Sequence, residues 1–259
     1  MTVNPPPLLN YKIQGDGPYL LLIHGLFGSL DNLGLLARDL INDFSVISVD
    51  LRNHGKSFHH NEMNYQTMAS DLDHLLQILK IESTIVIGHS MGGKAAMALA
   101  DMAPEKVSKL IVLDMAPVAY QQSRHDNVFA GLNAVILEKP TDRKAALACL
   151  AQHVEIEGVR QFLSKSLHSK DGSMQWRFNV TDIQDNYHHI QDWKNIPAFT
   201  KPTLFLKGEN SDYLIADYQT QIIAQFPNSK AHIIANTGHW LHAEKPAEVL
   251  RSIRRFLTK

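Results

Sequence analysis

A single cysteine, Cys149, occurs among 259 residues, so no internal disulfide can form and a disulfide-stapled framework is excluded. Neither sign of charge is in surplus. The 25 Lys and Arg are met by 26 Asp and Glu, a formal net charge of −1, which leaves no basic footprint for nucleic acid. No apolar run approaches the ~20 residues of a membrane-spanning helix. The opening Met-Thr-Val-Asn-Pro-Pro-Pro lacks a basic region followed by an apolar one. No signal peptide is therefore expected, and a cytoplasmic location is. Pro5, Pro6 and Pro7 read as an extended tail. There are no internal repeats, no low-complexity segments, and no set of His, Cys, Asp and Glu at metal-ligand spacing, so no metal site is expected.

What is present is ample core. The hydrophobic fraction is 44%, and the length suits one large α/β domain, or a domain carrying an insertion. Residues 8–14 alternate like an edge strand. Tyr19–Ile23 is a continuous apolar run, as expected of a parallel strand buried on both faces. Asp31 is placed to cap a helix bearing Leu33, Leu36, Ala37 and Leu40 on one face. Phe44–Val49, Thr84–Ile87 and Val107–Leu113 read as further strands, with an amphipathic helix over 65–80. From about Ala116 to Asn195 the pattern is helical with no convincing strand: Val128–Glu138, Thr141–Val154, Gly158–Ser169 and about Thr181–Trp193. Cys149 falls on an apolar helix face there and reads as buried filler. This stretch is too apolar to be a disordered linker. Strands resume at Lys201–Leu206 and Lys230–Ala235, and Pro246–Leu257 is the last helix. The alternation predicts a mostly parallel sheet, about eight-stranded, with helices on both faces. Residues 1–115 and 196–259 would form the core and 116–195 an inserted helical segment.

Gly88-His89-Ser90-Met91-Gly92 lies between a predicted strand and a predicted helix, and fits the pattern Gly-x-Ser-x-Gly. A serine hydroxyl is a weak nucleophile and must stand where a base can reach it. A sharp strand-to-helix turn lifts Ser90 above the sheet edge, and Gly88 and Gly92 remove side chains where strand and helix converge. The Met91 N–H then points to where an oxyanion would form, at the positive end of the new helix. His24, Ser90, Asp114, Asp212 and His239 all fall just after strands, the edge at which such sheets bind ligands. His239, next to Gly238, is the candidate base, because an imidazole can take and return a proton near neutral pH. Of the 14 histidines, the pairs His59-His60 and His188-His189 read as ordinary surface or core residues.

The chain resembles the α/β-hydrolase superfamily over nearly its full length. The carrying residues are His24-Gly25, Asp50–Ser57, Gly88–Gly93 and Gly238-His239. His24–Asn32, Leu113–Val118 and Gly238–Pro246 further resemble the bacterial YbfF-type esterases. That resemblance implies a hydrolase of carboxylic esters or acyl thioesters, with a helical cap and no cofactor, whose partner is a small acyl substrate. It makes Leu26 the second oxyanion donor beside Met91. His24 would brace its loop, and Arg52, Asn53 and His54 would be structural. The usual acid of the superfamily follows the seventh strand in Gly-x-x-Asp, where this chain has Gly208-Glu-Asn-Ser211, with Asp212 one residue late. YbfF-type esterases take the acid from the position of Asp114, so Asp114 is the first choice and Asp212 the alternative. Tyr120, Arg124, Phe129, Trp176 and Tyr187 are candidates to line the substrate pocket. Arg124 could pair with a substrate carboxylate or phosphate, and Trp240 could wall the acyl pocket. Two other functions fit the same residues: a triad-dependent lyase like the menaquinone-pathway relatives, and a ligand-binding relative without catalysis.

Overall fold

The computed structural model describes residues 7–258. Pro5 and Pro6 of the expected extended tail lie outside them. Seven strands form one sheet: β1 (Tyr11–Gln14), β2 (Tyr19–Ile23), β3 (Ser45–Val49), β4 (Thr84–His89), β5 (Val107–Leu113), β8 (Thr203–Gly208) and β9 (Ser229–Ile234). Their spatial order is β1-β3-β2-β4-β5-β8-β9. Only β1 runs antiparallel, against β3; all other pairs are parallel. The described sheet thus has one strand fewer than the eight or so expected, because a single antiparallel strand precedes β2.

The central strands are apolar on both faces because both faces are covered. On one face α2 (Tyr65–Ile78) and α3 (Met91–Met102) bury Met68, Leu72, Leu76, Ala95 and Leu99 against Leu21, Val86 and Val112. On the other, α1 (Gly34–Leu40), α10 (Leu241–Glu244) and α11 (Pro246–Leu257) bury Leu36, Leu40, Val249 and Ile253 against Leu20, Ile87, Ile111 and Leu204. A reciprocal cap starts α2. Asn64 accepts from the Thr67 N–H at 2.8 Å, and the Thr67 hydroxyl accepts from the Asn64 N–H at 3.1 Å. Asp31 does not cap α1: the helix starts after Leu33 with no side-chain cap, and Asp31 supplies only a turn carbonyl to Gly34.

Between β5 and β8 the chain makes α4 (Asp126–Glu138), α5 (Arg143–Ala151), α6 (Glu157–Ser164), α7 (Val180–Asp185) and α8 (Tyr187–Gln191). It also makes a two-stranded hairpin, β6 (Leu167–Lys170) with β7 (Ser173–Trp176). The hairpin departs from the all-helical reading. Asp171 and Gly172 both have positive φ, 51° and 79°, the backbone of a tight two-residue hairpin turn. The fourth helical pattern splits in two at Asn186. The segment leaves and returns side by side, with the Tyr120 N–H bonded to the Gln191 carbonyl at 3.0 Å.

Candidate active site

The ends of β4, β5 and β9 build the site, and the end of β8 lies between the last two. β4 ends in a sharp turn at Ser90, whose φ of 55° and ψ of −123° place it in a sparsely populated backbone region. The turn is possible because of its neighbours. A Cβ on Gly88 would lie 2.1 Å from the Gly92 carbonyl oxygen, and one on Gly92 would lie 2.3 Å from that of His24. The Ser90 N–H is held by the Leu113 carbonyl at 3.0 Å. α3 begins at Met91; its Gly93 and Lys94 N–H groups bond back to the Ser90 carbonyl at 2.8 and 3.2 Å, ahead of which the helix opens on the turn. Among the described residues neither the Met91 nor the Leu26 N–H meets an acceptor.

β5 ends at Asp114, also at positive φ (52°) and fully buried. Its carboxylate is surrounded by donors: the Gly208 N–H reaches Oδ1 at 2.9 Å, and the Ser211 hydroxyl and His239 Nδ1 both reach Oδ2, the latter at 2.7 Å. On its other side His239 Nε2 lies 2.8 Å from Ser90 Oγ. The structure therefore joins Ser90, His239 and Asp114 in one continuous hydrogen-bonded line. Asp212 is not in that line. It is 72% exposed and pairs with Arg124 at 2.5 Å, and this bond to the guanidinium holds its carboxyl below the usual range. An imidazole bonded at one nitrogen to a hydroxyl and at the other to a buried carboxylate can accept the hydroxyl proton and have its charge stabilised.

Several further residues surround His239, and Tyr213 and His242 among them were not singled out in the sequence. The Tyr213 ring stacks on the imidazole, with centroids 4.0 Å apart and planes 22° apart. The Arg124 guanidinium sits 4.4 Å from the centre of the Tyr213 ring. His89 Nε2–H donates to the His239 carbonyl at 2.8 Å. Burial holds His89 well below the ordinary imidazole range, reinforced by His242 and His239. Burial likewise pulls His242 down to about 3. Ser211 carried a legible signal: it occupies the acid position of Gly-x-x-Asp and does turn toward the site. Nothing local marks Tyr213, whose contact depends on two distant loops meeting.

His24 and the 50–57 turn are structural. His24 bonds the Gly25 carbonyl through Nδ1 at 2.7 Å and accepts from the Leu51 N–H at Nε2. Arg52 forms a two-pronged pair with Asp71 at 2.6 and 2.8 Å, and Asn53 bridges to His60. His54 accepts from the Phe27 N–H at 3.1 Å, which fixes the loop after Leu26.

Ser90 and His239 open into a cavity of about 450 Å³. Val128, Val154, Ile156, Val159, Phe162, Leu163 and Trp240 give it apolar walls, and Leu26, Arg124, His125 and Tyr213 lie along it with Ser90. A smaller chamber of about 40 Å³ adjoins Ser90 and Met91, with Tyr120 and Tyr187 in its wall. Trp176 is elsewhere: it stacks on Phe178 and donates to the Leu132 carbonyl at 3.1 Å. Phe129 packs edge-on to Phe27 and Tyr187. Both are correspondingly absent from the two chamber walls. No group of three or more potential metal ligands occurs among the described residues, and no helix there is long and apolar enough to cross a membrane.

A family profile described as alpha/beta hydrolase fold matches residues 18–246, and the chain belongs to that family. Within it the chain is similar to esterase YbfF of Escherichia coli, with 52% identity over 94% of each chain. It is also 37% identical to an sn-1-specific diacylglycerol lipase of Danio rerio, covering 97% of this chain and 83% of that one. A solved structure described as a marine microorganism esterase superimposes with a TM-score of 0.93 at 36% identity, covering 96% of this chain and 99% of the other.

Proposed function

We propose that the protein is a serine hydrolase of carboxylic esters or acyl thioesters that works through an acyl-enzyme. Ser90 is the nucleophile, His239 the base and Asp114 the acid. The observation that carries this reading is the pair of bonds on one imidazole, 2.8 Å to Ser90 Oγ and 2.7 Å to Asp114 Oδ2. Names of similar proteins support the substrate class, since they include an esterase and a diacylglycerol lipase.

Ser90 Oγ attacks the acyl carbonyl as His239 takes its proton. The leaving alcohol or thiol receives that proton, and water then repeats the sequence to free the acid. The tetrahedral oxyanion is met by the Met91 and Leu26 N–H groups, whose lack of other acceptors supports this role. Asp114 holds the tautomer with Nδ1 protonated and balances the imidazolium. The 116–195 segment acts as a cap. Its Val128, Val154, Val159 and Phe162, with Trp240, form the apolar side of the large chamber and suit an acyl chain. Arg124 and Tyr120 belong to the polar end of the substrate site.

Labelling with a fluorophosphonate, followed by turnover of a phenolic ester panel, tests the reading. Ser90→Ala should lose labelling and 10³–10⁶-fold in kcat, of the order seen when a nucleophile acting within a triad is removed. Retention of most turnover by folded Ser90→Ala protein would sink the mechanism.

A further inference from the structure

Lys94 is fully buried, at 0% exposure, and the proposed chemistry makes no use of it. It stands on the first turn of α3, where its N–H bonds back to the Ser90 carbonyl at 3.2 Å. Its Nζ leaves the helix on the side of the inserted segment and donates to two backbone carbonyls, Gln191 and Asp192, each at 3.0 Å. Those carbonyls close the end of α8, where a cation complements the helix dipole. Three rings surround the ammonium: Tyr120 at 4.6 Å, Tyr65 at 5.4 Å and Trp193 at 6.0 Å from Nζ to ring centre. Such faces attract a desolvated cation.

The origin of these partners gives the arrangement its meaning. Tyr120 lies on the strand of chain that leaves the core for the insertion. Gln191, Asp192 and Trp193 lie on the strand that returns. Tyr65 belongs to α2 and itself donates to the Ile190 carbonyl at 2.6 Å. Lys94 is therefore the point at which the helix carrying Ser90 touches both stems of the insertion at once.

We propose that Lys94 is a positioning residue that pins the hinge of the 116–195 segment to the nucleophile helix and so sets the register of the acyl chamber over Ser90. This rests on the reading of Ser90 as nucleophile and of 116–195 as a cap. The pin makes no hydrogen bond to a carboxylate among the described residues. Its hold comes from two carbonyls, the end of a helix and three aromatic faces, so it withstands burial without a full counter-charge. Burial draws the amine down to about 7, with the Asp192 carboxylate opposing. The other titratable groups facing it, the Tyr65 and Tyr120 hydroxyls, are both pushed up by burial and stay neutral.

The test compares wild type with Lys94→Met, which keeps the length of the side chain and removes its donors. Hydrogen exchange is followed in peptides covering 118–122 and 187–193, and kcat/KM is measured for a phenolic acetate and its decanoate. The expected result is faster exchange at both stems, acetate turnover within about twofold of wild type, and decanoate kcat/KM down about tenfold, chiefly in KM, because a displaced hinge misplaces the long-chain wall more than the reacting atoms. Lys94→Gln, whose amide can still donate to a carbonyl, should recover part of the decanoate loss, and it carries the same two readouts should Lys94→Met fail to fold. Unchanged exchange at the stems, or equal losses on acetate and decanoate, would overturn the proposal. A wild-type protein that resists fluorophosphonate would instead refute the reading of Ser90, while stem exchange would still report on Lys94.

Discussion

The loops after β5 and β8 lie side by side at one edge of the sheet, and each carries an aspartate. Asp114 leaves β5 directly, is fully buried, and is bonded by Gly208, Ser211 and His239. Asp212 lies in a loop, is 72% exposed, and is bonded by Arg124. The two acids are the same side chain in opposite surroundings. One is enclosed by oriented donors with no solvent to compete. The other shares its charge with water and a guanidinium. A carboxylate that must hold an imidazole still during proton transfer needs the first setting. Ser211 shows how closely the loops are coupled: the residue at the superfamily's usual acid position contributes a hydroxyl to the acid next door.

The sharpest way to break this contrast is Asp114→Asn. An amide favours the wrong imidazole tautomer and cannot balance its charge, so kcat should fall about 10⁴-fold, as in the serine-protease triad. Circular dichroism checks that the fold survives. Normal turnover in that variant would return the acid role to Asp212.

Acid should next weaken the fold around the site, where several imidazoles are buried. Burial lowers His24, and lowers His54 and His242 to about 3. The unfolded chain binds these protons first, so stability is full above the unfolded value of about 6.5 and is lost as pH falls below it. Each site costs about 1.4 kcal/mol per pH unit until its folded value is reached. Melting temperatures between pH 7 and 5 should fall steeply, and less so in His242→Phe; a flat profile would mean these imidazoles are charged in the native state.

Ser211→Ala removes one donor from the Asp114 carboxylate. A bond to a charged group contributes about 1.5–3 kcal/mol, so kcat should drop roughly tenfold or somewhat more, with KM little changed. Asp212→Asn should have the smallest effect, less than about fivefold, since exposed pairs contribute about 0–1 kcal/mol. Steady-state kinetics on one ester suffice for both, and an Asp212→Asn loss exceeding that of Ser211→Ala would reverse the ranking.

Much of this was legible in the chain because buried parallel strands write themselves as unbroken apolar runs. Tyr19–Ile23 and Val107–Leu113 were found at their observed bounds, as was Pro246–Leu257. The Ser90 turn was legible because glycine spacing and the strand-to-helix change report the same backbone. The hairpin at Leu167–Trp176 was not. Its strands, Leu-His-Ser-Lys and Ser-Met-Gln-Trp, are short and polar, and the preceding helical period ran into them. The Asp171-Gly172 pair is the hairpin's one local cue. Tyr213 and Lys94 had no local cue, since stacking on His239 and bonding to Gln191 exist only once distant segments meet. Trp176 looked like a pocket residue because it is large and aromatic; its indole N–H found a carbonyl partner in the interior instead.

With Asp114 on the tip of β5, the hydrogen-bonded line through Ser90, His239 and Asp114 rests on the ends of β4, β5 and β9. The end of β8 and its loop give the Asp114 carboxylate a backbone N–H and a hydroxyl. There Asp212 pairs outward with Arg124 on the inserted segment, while the Tyr213 ring faces the same guanidinium and stacks on His239. Beyond Tyr213 the loop can lengthen without moving the Asp114 carboxylate. Insertions for altering selectivity are best tolerated there, after Tyr213, where the chain can lengthen while the Asp114 enclosure stays shut.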